Sequence, residues 1–230
     1  MTNESRQDKP LLTARGLCRK DPRTGATLLR DASLSLAAGE RIALMGPSGS
    51  GKTLLLRSLA LLDPVASGEV LWQGHAVGLE EIPRYRAQVV YVHQRATLFD
   101  GTVEDNLVRP FSLAAHRGQT YNRAHAERWL ARFGRDAAFL GRKSRDLSGG
   151  EAQITAIVRV LGTQPTVLLL DEPTAALDAA AATAFAGLID AWLAEAPTQR
   201  ACVWVSHDES YLTRVTTRCV QVSGGTTREP

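Results

Sequence analysis

The run Gly46-Pro-Ser-Gly-Ser-Gly-Lys-Thr53 constrains this chain more than any other feature. It matches G-x-x-x-x-G-K-[ST] at every position. The apolar stretch Arg41–Met45 before it reads as a buried strand. The Leu-rich stretch from Thr53 to about Leu62 reads as a helix, stopped by Asp63-Pro64. Gly46, Gly49 and Gly51, spaced by Pro47, Ser48 and Ser50, let the backbone curl so that successive N–H groups converge on one concavity. A phosphate-type anion suits that cradle, against the positive end of a helix dipole. Lys52 would reach the outer phosphates, and the Thr53 hydroxyl would ligate Mg²⁺. From ordinary residue frequencies, a chain this long would match by accident on the order of one time in a hundred.

A second apolar run, Thr166–Leu170, has the continuous character of a central parallel strand and ends in Asp171-Glu172-Pro173. In a doubly wound sheet, ligands bind beyond the carboxyl ends of the strands. Asp171 is therefore expected beside the phosphate loop, as a holder of Mg²⁺ directly or through water. Glu172, one residue further out, is expected to polarise a water in line with the γ-phosphate. As ordinary loop carboxylates, both would simply face solvent.

Leu147-Ser-Gly-Gly-Glu151 forms S-x-x-E, a capping box. Ile154, Ile157, Val158 and Leu161 then follow at helical spacing, with Gly162 as a stop and Pro165 beyond. Gly149 and Gly150 would leave the helix-start N–H groups sterically open, a second anion site. One ATP has one γ-phosphate; a single chain need not use both sites on the same nucleotide, but two chains can, head to tail.

Composition excludes several other classes. Hydrophobic residues make up 44% of 230 and charged residues 22%, ordinary for a folded soluble chain. No apolar run approaches the roughly eighteen residues of a spanning helix. Met1–Pro10 is polar, unlike a secretory leader. Cys18, Cys202 and Cys219 are odd in number and lack metal spacing, which suits free thiols in a reducing compartment. The net charge of +3 is spread along the chain, which argues against a nucleic-acid arm.

Taken together, these residues resemble the ATPase subunit of an ABC transporter, over nearly the whole chain. Gly46–Thr53 looks like the Walker A loop, Gln94 after the Val89–Val92 strand like the Q-loop, and Leu147–Glu151 like the signature motif. Val167–Glu172 looks like Walker B with its catalytic glutamate, Ala176-Leu-Asp178 like the D-loop, and His207 after Ala201–Val205 like the switch histidine. The resemblance implies an α/β P-loop NTPase fold: a RecA-like core with a parallel sheet, an antiparallel β part and an inserted α-helical subdomain. It places the core at residues 1–94 and 164–230 and the helical part at 95–163 of a single domain.

The same resemblance implies a homodimer, or a pair with another cassette, closed around ATP and Mg²⁺. Lys52 and Thr53 of one chain would hold a nucleotide lidded by Ser148, Gly149 and Gly150 of the other, with Asp178 acting across the interface. Gln94 would contact Mg²⁺ and the attacking water; His207 would contact the γ-phosphate. His75, His93, His116 and His125 are left as surface or packing residues. An integral membrane permease would dock near Gln94–Leu107, on the cytoplasmic face of a bacterial inner membrane, with no nucleic acid as partner.

Three departures from the family pattern stand out. No Phe, Tyr or Trp precedes Trp72, so only Arg19 and Arg23 are available to stack on the base, and weak base discrimination is expected. Gln153-Ile154-Thr155 stands where many relatives carry Arg, which is expected to loosen contacts near the dimer interface. No regulatory extension is expected after the last strand, Arg218–Val222. The wording Leu98-Phe-x-Gly-Thr-Val-x-x-Asn-Leu107, continued by Val108–Phe111, looks like exporter cassettes, and among stand-alone subunits like the bacterial iron-efflux family. The competing classes are a soluble ABC machine of DNA repair or translation and a nucleotide-binding regulator. The short span from Gln94 to Ser148 and the single Walker A motif argue against the first; Glu172 and His207 argue against the second.

Overall fold

The chain opens with two strands whose apolar residues are sequestered on one face. In the computed structural model, which describes residues 9–206, 212 and 215–229, β1 (Leu12–Lys20) pairs antiparallel with β2 (Thr27–Leu36). Leu12 faces Leu36, and Ala14 faces Leu34. All four are buried, as strand alternation with one covered face requires. β3 (Arg41–Met45) follows, then the phosphate loop and α1 (Lys52–Leu59). β4 (Ser67–Trp72) and the short β5 (His75–Ala76) complete an antiparallel sheet in the order β2-β1-β4-β5.

A second sheet carries the chemistry. It comprises β3, β6 (Val89–Val92, preceded by α2, Ile82–Gln88), β7 (Val167–Asp171), β8 (Ala201–Val205), β9 (Arg218–Ser223) and β10 (Thr226–Arg228). The order is β10-β9-β3-β8-β7-β6. β3 runs parallel to β8 and β9, and β7 parallel to β8. Every residue of β7 and β8 is buried, which explains the apolar run of β8 and of β7 up to Leu170, before the buried Asp171. Leu55, Leu56 and Leu59 of α1 join Ile42, Leu44 and Leu169 in the core that this sheet shares with β1 and β2.

α1 stops earlier than its Leu-rich sequence suggests, because Leu61 adopts a left-handed conformation (φ 54°). Asp63 then anchors the helix end. It accepts two hydrogen bonds from Arg57, at 2.6 and 2.9 Å, and one from Arg19 on β1 at 2.5 Å. The Arg57 bonds, reinforced by Arg19, hold its carboxyl at about 2, below the ordinary 3.8.

Packing divides the chain into two compact units. The sheets belong to Met1–Tyr91, Thr166–Asp171 and Pro197–Pro230; the other unit comprises Val92–Pro165 and Glu172–Ala196. The latter is built from α3 (Val103–Val108), α4 (Arg123–Ala131), α5 (Gly149–Gly162) and α6 (Ala179–Glu195). The expected apolar stripe of α5, Ile154, Ile157, Val158 and Leu161, is buried, and so are Ala126, Trp129 and Leu130 of α4, while Phe133 just beyond that helix is half-buried. Residues 172–196, expected in the core, group with the helical unit. Arg132 donates to the Gly187 carbonyl at 3.2 Å, and the His125 ring lies 3.7 Å from the Glu195 carboxylate, which ties α6 to α4.

Residues 175–186 are rich in Ala, yet they become helical only from Ala179, where the Asp178 carboxylate caps the Ala181 N–H at 2.8 Å. Among the described residues, no helix is long and apolar enough to cross a membrane.

Because Asp63 has a lower pKa folded than unfolded, its contribution is present above about pH 4 and is lost as pH falls towards about 2. Denaturant titrations across that window should show the wild type losing about 1–2 kcal/mol relative to Asp63→Asn, which starts lower at neutral pH. Parallel pH profiles for the two chains would contradict this role.

Candidate functional site

The end of β3 turns sharply because residue 46 has to be glycine. Gly46 sits at φ 138°, and a Cβ there would lie 2.1 Å from the Val222 carbonyl oxygen. The loop exposes Pro47, Ser48 and Gly49, then tucks Ser50 inside. The buried Ser50 hydroxyl has no hydrogen-bond partner among the described residues. Gly51, at φ 108°, is the N-cap of α1 and brings no side chain to the helix start, whose first turn also lacks an acidic residue. The initial N–H groups of α1 thus remain available for an external anion.

Lys52 is 8% exposed, yet its ammonium meets no carboxylate at ion-pair distance among the described residues. It donates instead to the carbonyls of Gly46 at 2.6 Å and Pro47 at 2.9 Å. A nearly buried cation balanced only by carbonyl dipoles, beside unspent N–H donors and an unpartnered hydroxyl, is a donor set suited to an anion.

At the end of β7, Asp171 is 5% exposed and both of its oxygens are engaged. Oδ1 accepts from the Thr53 hydroxyl at 3.2 Å, and Oδ2 accepts from the Tyr91 phenol at 2.7 Å. Thr53 and Asp171 are thus brought together, as the sequence leads one to expect. A hydroxyl and a carboxylate oxygen beside a phosphate cradle are the hard donors that Mg²⁺ takes alongside substrate phosphates, so these residues fit that ion.

In the helical unit, Gln94 and Glu172 meet: the Gln94 amide donates to Glu172 Oε2 at 2.8 Å. Glu172 holds a left-handed backbone conformation (φ 48°), a strain typical of residues whose placement matters more than their local comfort. Ser148 caps α5 as its sequence implies. Its hydroxyl accepts from the Glu151 N–H at 3.2 Å, and its own N–H donates to Glu151 Oε2 at 3.0 Å. The N–H groups of Gly149 and Gly150 lie outside this reciprocal pair. Gly150 has a packing reason as well, since a Cβ would stand 3.1 Å from the Ala176 carbonyl oxygen. Asp178 serves as the cap of α6, and His207 lies outside the described residues.

Two expectations are corrected. Arg19 is committed to Asp63 with its side chain 16% exposed, so of the two candidate stacking arginines only Arg23 is exposed. Gln153 is 1% exposed; its amide donates to the His93 carbonyl at 3.2 Å, so it braces α5 against the residue before Gln94 rather than loosening an outer face.

Sequence reasoning also misses the clamp on Glu151. Arg142 donates to its Oε1 at 2.5 Å, and Arg135 lies 3.5 Å from the same oxygen. The Ser148 N–H and Arg142 together hold the Glu151 carboxyl below the usual carboxylate range. A buried capping glutamate calls for a nearby cation, but with 23 arginines in the chain nothing in the sequence singles out which.

Comparison with known proteins agrees with this geometry. The ABC transporter family model matches residues 29–175. The probable iron export ATP-binding protein FetA of Escherichia coli (strain K12) is 38% identical over 184 residues, 80% of each chain. The Fe(3+) ions import ATP-binding protein FbpC of Serratia marcescens is 36% identical over 186 residues, 80% of this chain and 52% of that one. Among solved structures, the dimeric post-hydrolysis state of the ATP-binding cassette MJ0796, bound to ADP and Pi, superposes with a TM-score of 0.82 at 26% identity, covering 95% of this chain and 98% of that one. With its phosphate loop, acidic strand end and capped Ser-Gly-Gly helix, the chain belongs to the ABC transporter family, as an ATP-binding subunit that hydrolyses ATP.

Proposed function

We propose that two copies of this cassette, or this chain and a related one, close head to tail around ATP and Mg²⁺, and that hydrolysis drives a separate membrane permease in the export direction, with a metal such as iron as cargo. The observation that carries the nucleotide part is the buried, carboxylate-free ammonium of Lys52 beside the bare start of α1. A triphosphate supplies the missing negative charge. Lys52 then exchanges loop carbonyls for phosphate oxygens, and the loop N–H groups take the remainder.

Thr53 and Asp171 would hold Mg²⁺, with Gln94 contributing as well; bound there, the ion neutralises charge building on the β- and γ-phosphates. Glu172 would polarise the attacking water. The Gln94 amide that now occupies its carboxylate can orient that water or release the base as the Q-loop shifts. His207 would contact the γ-phosphate. Ser148, Gly149 and Gly150 of the second copy would present their helix start to the same γ-phosphate, and Asp178 would act across that interface.

The permease reading rests on the segment after Gln94. Asn106 is fully buried and folds this segment: Oδ1 accepts from the Phe99 N–H at 2.8 Å, and Nδ2 donates to the carbonyls of Phe99 and Thr102, both at 2.9 Å. The result leaves Phe99 47% exposed, with the Arg109 guanidinium 3.9 Å from its ring centroid. An exposed aromatic beneath an arginine suits a docking anchor for an apolar helix end of a partner. The exporter-like wording of residues 98–107 and the 38% identity to an iron export protein support the direction and the cargo. The placement is peripheral, on the cytoplasmic face of the membrane that holds the permease.

Two substitutions should fail differently. Lys52→Ala should weaken nucleotide binding itself, read by titration of a fluorescent ATP analogue. Glu172→Gln should keep that binding and lose on the order of 10²–10⁴ in turnover; equal loss of binding in both contradicts the assigned roles. Phe99→Ala should retain nucleotide affinity without the permease and lose roughly tenfold or more of permease affinity in a pull-down or surface-binding assay. Unchanged permease affinity would remove Phe99 from the docking surface.

A further inference from the structure

We propose that Tyr91, a residue none of the motifs includes, is a positioning residue for the metal-holding carboxylate of Asp171. The inference rests on the nucleotide reading above and assigns a role to a side chain that reading leaves out. Tyr91 lies near the end of β6, half-buried, and its phenol donates to Asp171 Oδ2 at 2.7 Å while Thr53 occupies Oδ1 at 3.2 Å. A carboxylate held at one oxygen cannot rotate freely about its last torsion. With Oδ2 fixed by the phenol, Oδ1 is turned to the Thr53 hydroxyl, where the ion is expected.

The direction of that hydrogen bond is set by the carboxylate, which accepts and never donates when ionised, so the phenol's proton points at Asp171. The Arg57 guanidinium, clamped at two points by Asp63, adds positive charge near the phenol. Two short chains of hydrogen bonds, Arg19–Asp63–Arg57 and Tyr91–Asp171–Thr53, lie within one compact unit. Partners behind the ligands commonly set metal affinity in this way, worth roughly 10–100-fold.

The test compares wild type with Tyr91→Phe, which keeps the ring and removes one oxygen. A fluorescent, non-hydrolysable ATP analogue is titrated onto the full chain in EDTA and then over a range of Mg²⁺. Binding in EDTA should be unchanged, because the loop and Lys52 are untouched. The Mg²⁺ concentration giving half of the metal-dependent increase in affinity should rise roughly tenfold. An unaltered Mg²⁺ requirement, or equal weakening with and without metal, overturns the proposal, since a hydroxyl that only supports the fold would act on both arms alike. Tyr91→Leu serves should the first variant fail to fold; failure of both to fold also overturns it, by making the group structural. A wild type whose binding of the analogue is indifferent to Lys52→Ala would instead sink the nucleotide reading itself, a result separable from a normal wild-type response with no effect at Tyr91.

Discussion

A cation buried without a carboxylate is the constraint from which the rest of the structure follows. Lys52 is drawn into the loop by two carbonyls, of Gly46 and Pro47, that offer dipoles but no net charge. Burying an unpaired ammonium costs several kcal/mol even after local hydrogen bonding, and nothing among the described residues offsets its charge. The turn that makes this possible depends on a glycine whose Cβ position is taken by the Val222 carbonyl, so β9 and the loop are fitted to each other. In the proposed reading a triphosphate would complete the charge balance, with Lys52 as one half of an ion pair.

Within each compact unit, polar side chains hold the candidate residues at fixed places. Asp171 is gripped at both oxygens, Glu172 is reached by Gln94 from a strained backbone position, and Glu151 is clamped by arginine while it caps α5. These arrangements cost local freedom and gain placement, the usual exchange at a site that stabilises charge. Gln153 adds a link between the signature helix and the backbone of His93, one residue before Gln94. In the proposed dimer, that link would join the helix that lids one nucleotide to the loop that senses the other.

Much of this was legible in the sequence because the relevant signals are local. The strand before Gly46, the capping box at Ser148 and the apolar stripe of α5 each lie within a few residues and follow backbone geometry. What stayed hidden depends on side chains distant in sequence. Tyr91 and Asp171 are 80 residues apart, and Arg19 and Asp63 are 44 apart. No period or propensity announces such pairs. The sequence therefore offered Arg19 as a free stacking group when Asp63 had already claimed it. Gln153 was read by family position, whereas its near-complete burial and its bond to His93 show a bracing role. The start of α6 within the Ala-rich residues 175–186 is set by the Asp178 cap rather than by composition.

The proposed closure of two chains around each nucleotide is most directly tested by sedimentation velocity of the Glu172→Gln chain with its permease at high protein concentration, without nucleotide and then saturated with Mg·ATP. The account predicts a paired species that appears only with Mg·ATP, and that Lys52→Ala abolishes. A chain that stays single under those conditions, while demonstrably binding ATP, would contradict the account.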